Sequence, residues 1–273
     1  MIIDPHLHVW SDDEERYPFS GQSSPGEEGS VELLNRTMAE AGVDRAVIVQ
    51  PIHYLFDNRY LADCLKRFPG KFAAQALVDP TVPEAPDLLE ELVREHGFGG
   101  MRIHLSRYGD PAGLAARAKD PLWQRAGDLA VGFNLFGKGE DHPPMEAIIA
   151  RFPEVKVVVD HLGGVPADEP EPKPLLNNLL RWAQYPNVYV KVSNVGTRSQ
   201  EPYPHPDTVP MIRQIYDAYG PERLMWGTDF PHVLRSCGYV ESLALIREHL
   251  FFTEEDLEWI LCNSILKFWK FGG

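Results

Sequence analysis

The chain is poor in cysteine: Cys64, Cys237 and Cys262 lie far apart, and none forms a CxxC pair. An odd, scattered set excludes a disulfide framework and argues against a structural zinc ribbon. Long apolar runs are also missing. No stretch approaches the roughly 18 residues that a spanning helix needs, and the N-terminus has no basic leader with an apolar stretch behind it. A reduced, cytoplasmic protein without membrane contact is expected. Basic residues are in the minority, 26 against 40 acidic ones, for a formal charge of −14. That leaves no basic face for nucleic acid, although a few arginines can dominate a pocket whatever the total.

What is present is enough apolar material for a full core, 44% of 273 residues. Barrels of alternating strands and helices reach about 250 residues as one unit, and no linker divides the sequence, so residues 1–273 are expected to form a single domain. Short β-branched runs fall at 2–4, 45–50, 72–78, 100–105, 131–136, 155–160, 188–192 and 223–227. Stretches with helical spacing separate them, often with proline near the start or glycine past the end. Eight such units predict an α/β fold, a (β/α)8 TIM barrel of parallel strands. The runs are continuously apolar, as expected for strands covered on both sides. Residues 239–250 are the expected last barrel helix. Residues 254–268 form an additional C-terminal helix, opened by a capping box at Thr253.

In such a barrel the residues that end strands carry the chemistry. Strand one ends in His6 and His8, whose alternate spacing places both imidazoles on one side. Strand two is followed by His53. Strand four carries Arg102 and His104, strand six ends in Asp160 and His161, strand seven offers Lys191, Ser193 and Asn194, and strand eight ends in Asp229 and His232. Of these, His6, His8, His161 and Asp229 are the candidate catalytic residues. Arg102, His104, His53 and Lys191 are candidates for substrate binding, with Arg102 suited to a two-pronged carboxylate contact. Loops at 11–30 and 193–208 are long enough to be functional. His142 is expected in an exposed loop.

Three motifs sit at these strand ends: "DPHLHVW" at the N-terminus, "DHLGG" after strand six and "GTDFPH" after strand eight. Together with the closing "ILCNSILKFW" they resemble the amidohydrolase superfamily, in its amidohydrolase-2 branch, over almost the whole chain. "PHLHVW", the "RYPF" loop and "VYVKVS" are most similar to the lactonase group, which includes 2-pyrone-4,6-dicarboxylate and sugar-acid lactonases. The resemblance implies hydrolysis of a lactone ring in a small carboxylated or sugar-acid substrate by an Asp229-activated water. Neutral histidines would donate to the carbonyl, and a raised pKa would favour Asp229 as base. A metal-dependent decarboxylase or hydratase of a small aromatic acid is the alternative.

Metal-dependent relatives end strand five in histidine, whereas here it carries Asn134. Any divalent metal, zinc first, would be held by His6, His8 and Asp229 with help from His161. The resemblance to the lactonases favours activity without it. The expected partner is a small molecule, with neither nucleic acid nor membrane. The oligomeric state is open, a homo-oligomer included.

Overall fold

The computed structural model describes residues 1–20, 24–108 and 110–272; residues 21–23 of the first long loop lie outside the described residues. Eight parallel strands follow one another around a sheet in sequence order. They are β1 (Ile3–Leu7), β2 (Arg45–Val49), β3 (Phe72–Leu77), β4 (Gly100–His104), β5 (Gly132–Phe136), β6 (Val157–Val159), β7 (Val188–Ser193) and β8 (Leu224–Gly227). The last meets the first through a parallel bridge between Leu7 and Phe230. Two backbone hydrogen bonds tighten that seam: Asp229 N–H donates to the His6 carbonyl at 2.8 Å, and His8 N–H to the Phe230 carbonyl at 2.7 Å. The barrel therefore closes through the residues that its sequence marks for chemistry.

Helices cover the outside because each has an apolar stripe and clear ends. The first, Val31–Ala41, buries Val31, Leu34 and Met38. Ser30 caps it by accepting from Leu33 N–H, and Gly42 ends it at φ 69°, a left-handed conformation that costs glycine little. The strands are buried on both faces, with polar residues such as Asp4, Gln75, Asn134 and Lys191 among the apolar ones, and pair in parallel throughout. β1 departs from regular register between Asp4 and Leu7. Asp4 is thereby free to accept from the Thr228 hydroxyl at 2.5 Å and the Tyr239 hydroxyl at 2.9 Å.

Three expectations shift. β6 is shorter than residues 155–160, since a left-handed turn follows directly at His161–Gly164. The two C-terminal helices run unbroken over 239–249 and 254–268, as expected, but are not α-helical throughout: Leu245–His249 and Trp259–Asn263 widen into π-helical turns. The terminal stretch then runs beneath the barrel, where Ile265, Phe268 and Trp269 pack with Ile3, Val47, Val158 and Met225. His142 is buried at the head of helix His142–Arg151, against Trp182 at 4.8 Å, rather than exposed in a loop. Among the described residues no helix is long and apolar enough to cross a membrane.

Candidate active site

The turn after β6 shows how local strain builds the site. His161, Leu162, Gly163 and Gly164 all take positive φ, between 52° and 69°. Each such step costs a side-chain-bearing residue about 1–2 kcal/mol. Gly163 and Gly164 are needed here, because a Cβ would lie 2.7 Å from the His142 ring in the first case and 2.7 Å from the Gly137 carbonyl in the second. Asn194 and Asp229, ending β7 and β8, are also left-handed, at φ 53° and 62°. Three neighbouring strand ends thus turn in a conformation seen mostly where surrounding structure imposes it for function.

These turns bring three imidazoles onto one carboxylate oxygen. Asp229 Oδ1 lies 3.5 Å from His6 Nε2, 3.4 Å from His8 Nε2 and 3.9 Å from His161 Nε2. Its second oxygen accepts from the Asn194 amide at 2.9 Å. All four of His6, His8, His161 and Asp229 are buried. The structure thus assembles the candidate catalytic set from β1, β6 and β8.

Proton positions follow from the outer partners. His8 Nδ1 lies 2.7 Å from the Val49 carbonyl. A carbonyl only accepts, so Nδ1 carries the proton and neutral His8 presents a bare Nε2 to Asp229. His161 Nδ1 meets the Ser193 hydroxyl at 2.9 Å, which can serve either tautomer. Burial holds His6 and His8 below the ordinary imidazole range and pushes His161 down to about 4. Burial alone would raise the Asp229 carboxyl, but the facing imidazoles, His161 foremost, outweigh it and keep it low. Burial thus favours the neutral form of all three histidines. The carboxyl is held low and not raised toward neutrality.

Beneath this layer lies a second one. Asp160 lies 3.1 Å from His6 Nδ1, accepts from Lys191 Nζ at 3.0 Å and the Asn134 amide at 3.3 Å, and pairs with Arg102 Nε at 3.0 Å. Burial opposes its charge, yet Lys191, His6 and Arg102 hold its pKa well below the usual carboxylate range. Lys191 is fully buried and is pushed down to about 8 by burial, with Asp160 pulling the other way. Lys191 therefore sits under the site, against His6 and Asp160, and not on the cavity wall. Asn134 of β5 belongs to this layer.

Above the histidines opens a cavity of about 480 Å³, lined by His53, Arg102, His104 and Arg198 together with His8, His161 and Asp229. Arg102 keeps its Nε on Asp160 and stacks on Phe136, with its guanidinium carbon 4.4 Å from the ring centre. His104 packs edge-on to Phe136 at 5.2 Å, and burial pushes its pKa down to about 2. Of the charged residues on this wall, Arg102, Lys138 and Arg198 are cationic and Asp229 alone is acidic, in a chain of net charge −14. Arg198 and Lys138 did not stand out in the sequence, since neither ends a strand. The position of Arg198 in the long loop after β7 was the available signal. A larger cavity of about 640 Å³ contains none of the candidate residues and is lined by Phe56, Val82, Leu88 and others on the outer face.

The donor set also fits a metal ion. His6, His161 and Asp229 offer ligand atoms that all lie within 4.8 Å of one another, and His6 Nε2 has no hydrogen-bond partner. Bonds of 2.0–2.1 Å in a tetrahedron put ligand atoms about 3.3 Å apart, close to the 3.5 Å between His6 Nε2 and Asp229 Oδ1.

A family model described as "Amidohydrolase" matches residues 3–271. An L-fucono-1,5-lactonase from Burkholderia ambifaria is 29% identical over 246 residues, covering 87% of this chain and 82% of that one. A Pseudomonas putida structure named as a candidate 2-pyrone-4,6-dicarboxylic acid hydrolase superposes with a TM-score of 0.84 at 24% identity, covering 98% and 97% of the two chains. A Burkholderia multivorans amidohydrolase with zinc bound superposes at 0.79, with 19% identity and 98% of each chain covered.

Proposed function

The chain belongs to the amidohydrolase family, and from that premise we propose that it hydrolyses a small lactone bearing a carboxylate. The observation that carries this reading is the convergence of three imidazole nitrogens on Asp229 Oδ1 under a cationic wall. Relatives named for fuconolactone and pyrone-dicarboxylate hydrolysis support it. They leave the decarboxylase alternative with less support.

Bare His8 Nε2 and Asp229 Oδ1 are two acceptors facing each other at 3.4 Å. A water between them resolves that opposition by donating one proton to each, which aims an oxygen lone pair at the ring carbonyl. Asp229 then takes the water's proton as it attacks, and later returns it to the ring oxygen that leaves as an alkoxide. The carbonyl oxygen, gaining charge, is met by imidazole N–H groups of His6 and His161. A preorganised donor of this kind is worth about 10²–10³ in rate. His8 is not among these donors, because its proton is committed to Val49. A divalent ion on His6, His161 and Asp229 would supply carbonyl polarisation and a more acidic water in the same place.

Arg102 and Arg198 would hold the substrate carboxylate. Ring opening across a panel of carboxylated and neutral lactones, followed by acid release with and without chelator, tests the reading. Turnover of the carboxylated members is expected; inertness toward every lactone would end it. Arg102→Lys should raise KM for carboxylated lactones far more than for neutral ones, and equal shifts would remove Arg102 from that role.

A further inference from the structure

We propose that Lys191 is a positioning residue that holds His6 in the tautomer carrying its proton on Nε2, and thereby keeps the affinity of the site for zinc low. The inference concerns the same site and stands whatever its substrate.

Lys191 Nζ lies 3.0 Å from His6 Nδ1 and 3.0 Å from Asp160 Oδ1, wholly buried, with the Trp269 ring 5.3 Å away on its other side. An ammonium has donors only. Its contact with Nδ1 is attractive when that nitrogen is bare and repulsive when it carries a proton. With Nδ1 bare, the ring proton sits on Nε2, which points at the Asp229 carboxylate 3.5 Å away. Moving the proton to Nδ1 satisfies Asp160 at 3.1 Å. It also sets two donors against each other at Lys191 and a lone pair against the carboxylate at Asp229. Asp160 loses little by the first arrangement, since Lys191, Arg102 and Asn134 still serve it.

A metal ligand needs a bare Nε2, so zinc has to drive His6 into the arrangement that Lys191 opposes. Charge acts in the same direction. Lys191 and Arg102 already pair with Asp160 beside Asp229, so a dication there adds to two buried cations. The same residue makes His6 a donor on the side of Asp229, where the proposed ring opening needs one.

Long-range ¹H–¹⁵N spectra of metal-stripped, histidine-labelled protein read the tautomer directly, with His6 assigned by a His6→Gln variant. Wild-type His6 is expected to carry its proton on Nε2. In Lys191→Met, of similar length without charge, the proton should move to Nδ1. Zinc affinity, measured by competition with a chromophoric chelator, should then rise about tenfold or more. A proton on Nδ1 in the wild type would overturn the proposal, and so would unchanged zinc affinity in a folded Lys191→Met protein. If that variant does not fold, the wild-type spectrum decides alone. Neither measurement uses a lactone, so an inert lactone panel would leave this result standing.

Discussion

The two ends of the barrel are built to opposite rules. At the N-terminal end, Ile3, Val47, Val158 and Met225 meet Ile265, Phe268 and Trp269 in an apolar plug. At the C-terminal end, a few ångströms along the same strands, the buried positions are taken by His6, His8, Asp160, His161 and Asp229. Burying apolar surface stabilises, at roughly 25 cal/mol per Å². Burying charges costs several kcal/mol each before partners offset it. One end therefore supports the fold and the other spends stability on chemistry, the division expected of this architecture. They touch at Lys191, whose ammonium lies between Asp160 and the Trp269 ring.

Three substitutions would sharpen or break this contrast. The largest effect is expected from Asp160→Asn, which leaves Lys191 and Arg102 buried against a neutral amide. Breaking a buried pair in this way costs about 3–5 kcal/mol. Denaturant melts should show it, together with a loss of activity as Lys191, which lies against His6, loses its counter-charge. A loss below about 1 kcal/mol would mean that the lower layer does not depend on charge pairing. Next comes Asp229→Asn, which keeps the shape and removes the base. Turnover should fall by about 10²–10⁴ while the melting temperature stays close to that of the wild type. An active, stable variant would end the assignment of Asp229. The smallest is Ile265→Val in the plug, expected to lose about 0.5–1.5 kcal/mol of stability with kcat/KM unchanged. A large activity defect there would show that the two ends are coupled more strongly than their packing implies.

Much of the upper end was legible along the chain, because a barrel places the ends of its strands at one rim. Alternation put His6 and His8 on one side, and the strand ends marked His161 and Asp229. Less legible was which residues face a ligand and which face one another. Arg102 and Lys191 read alike as cations near strand ends. In the folded chain both reach Asp160, but Arg102 also lines the cavity while Lys191 is sealed beneath it. Lys138 gave no signal and Arg198 only its place in a long loop, since loop conformation brings both to the wall.

The amino-acid order by itself determined the eight alternating units, their apolar strands and the four residues that converge, because periodicity and strand ends are local properties of a chain. Only the tertiary structure decided protonation and charge balance. That His8 donates to Val49, that Asp160 gathers two cations and an imidazole, and that Lys191 lies against His6 depend on contacts between residues 31 to 185 positions apart. No local pattern specifies which donor meets which acceptor across the interior of a closed barrel.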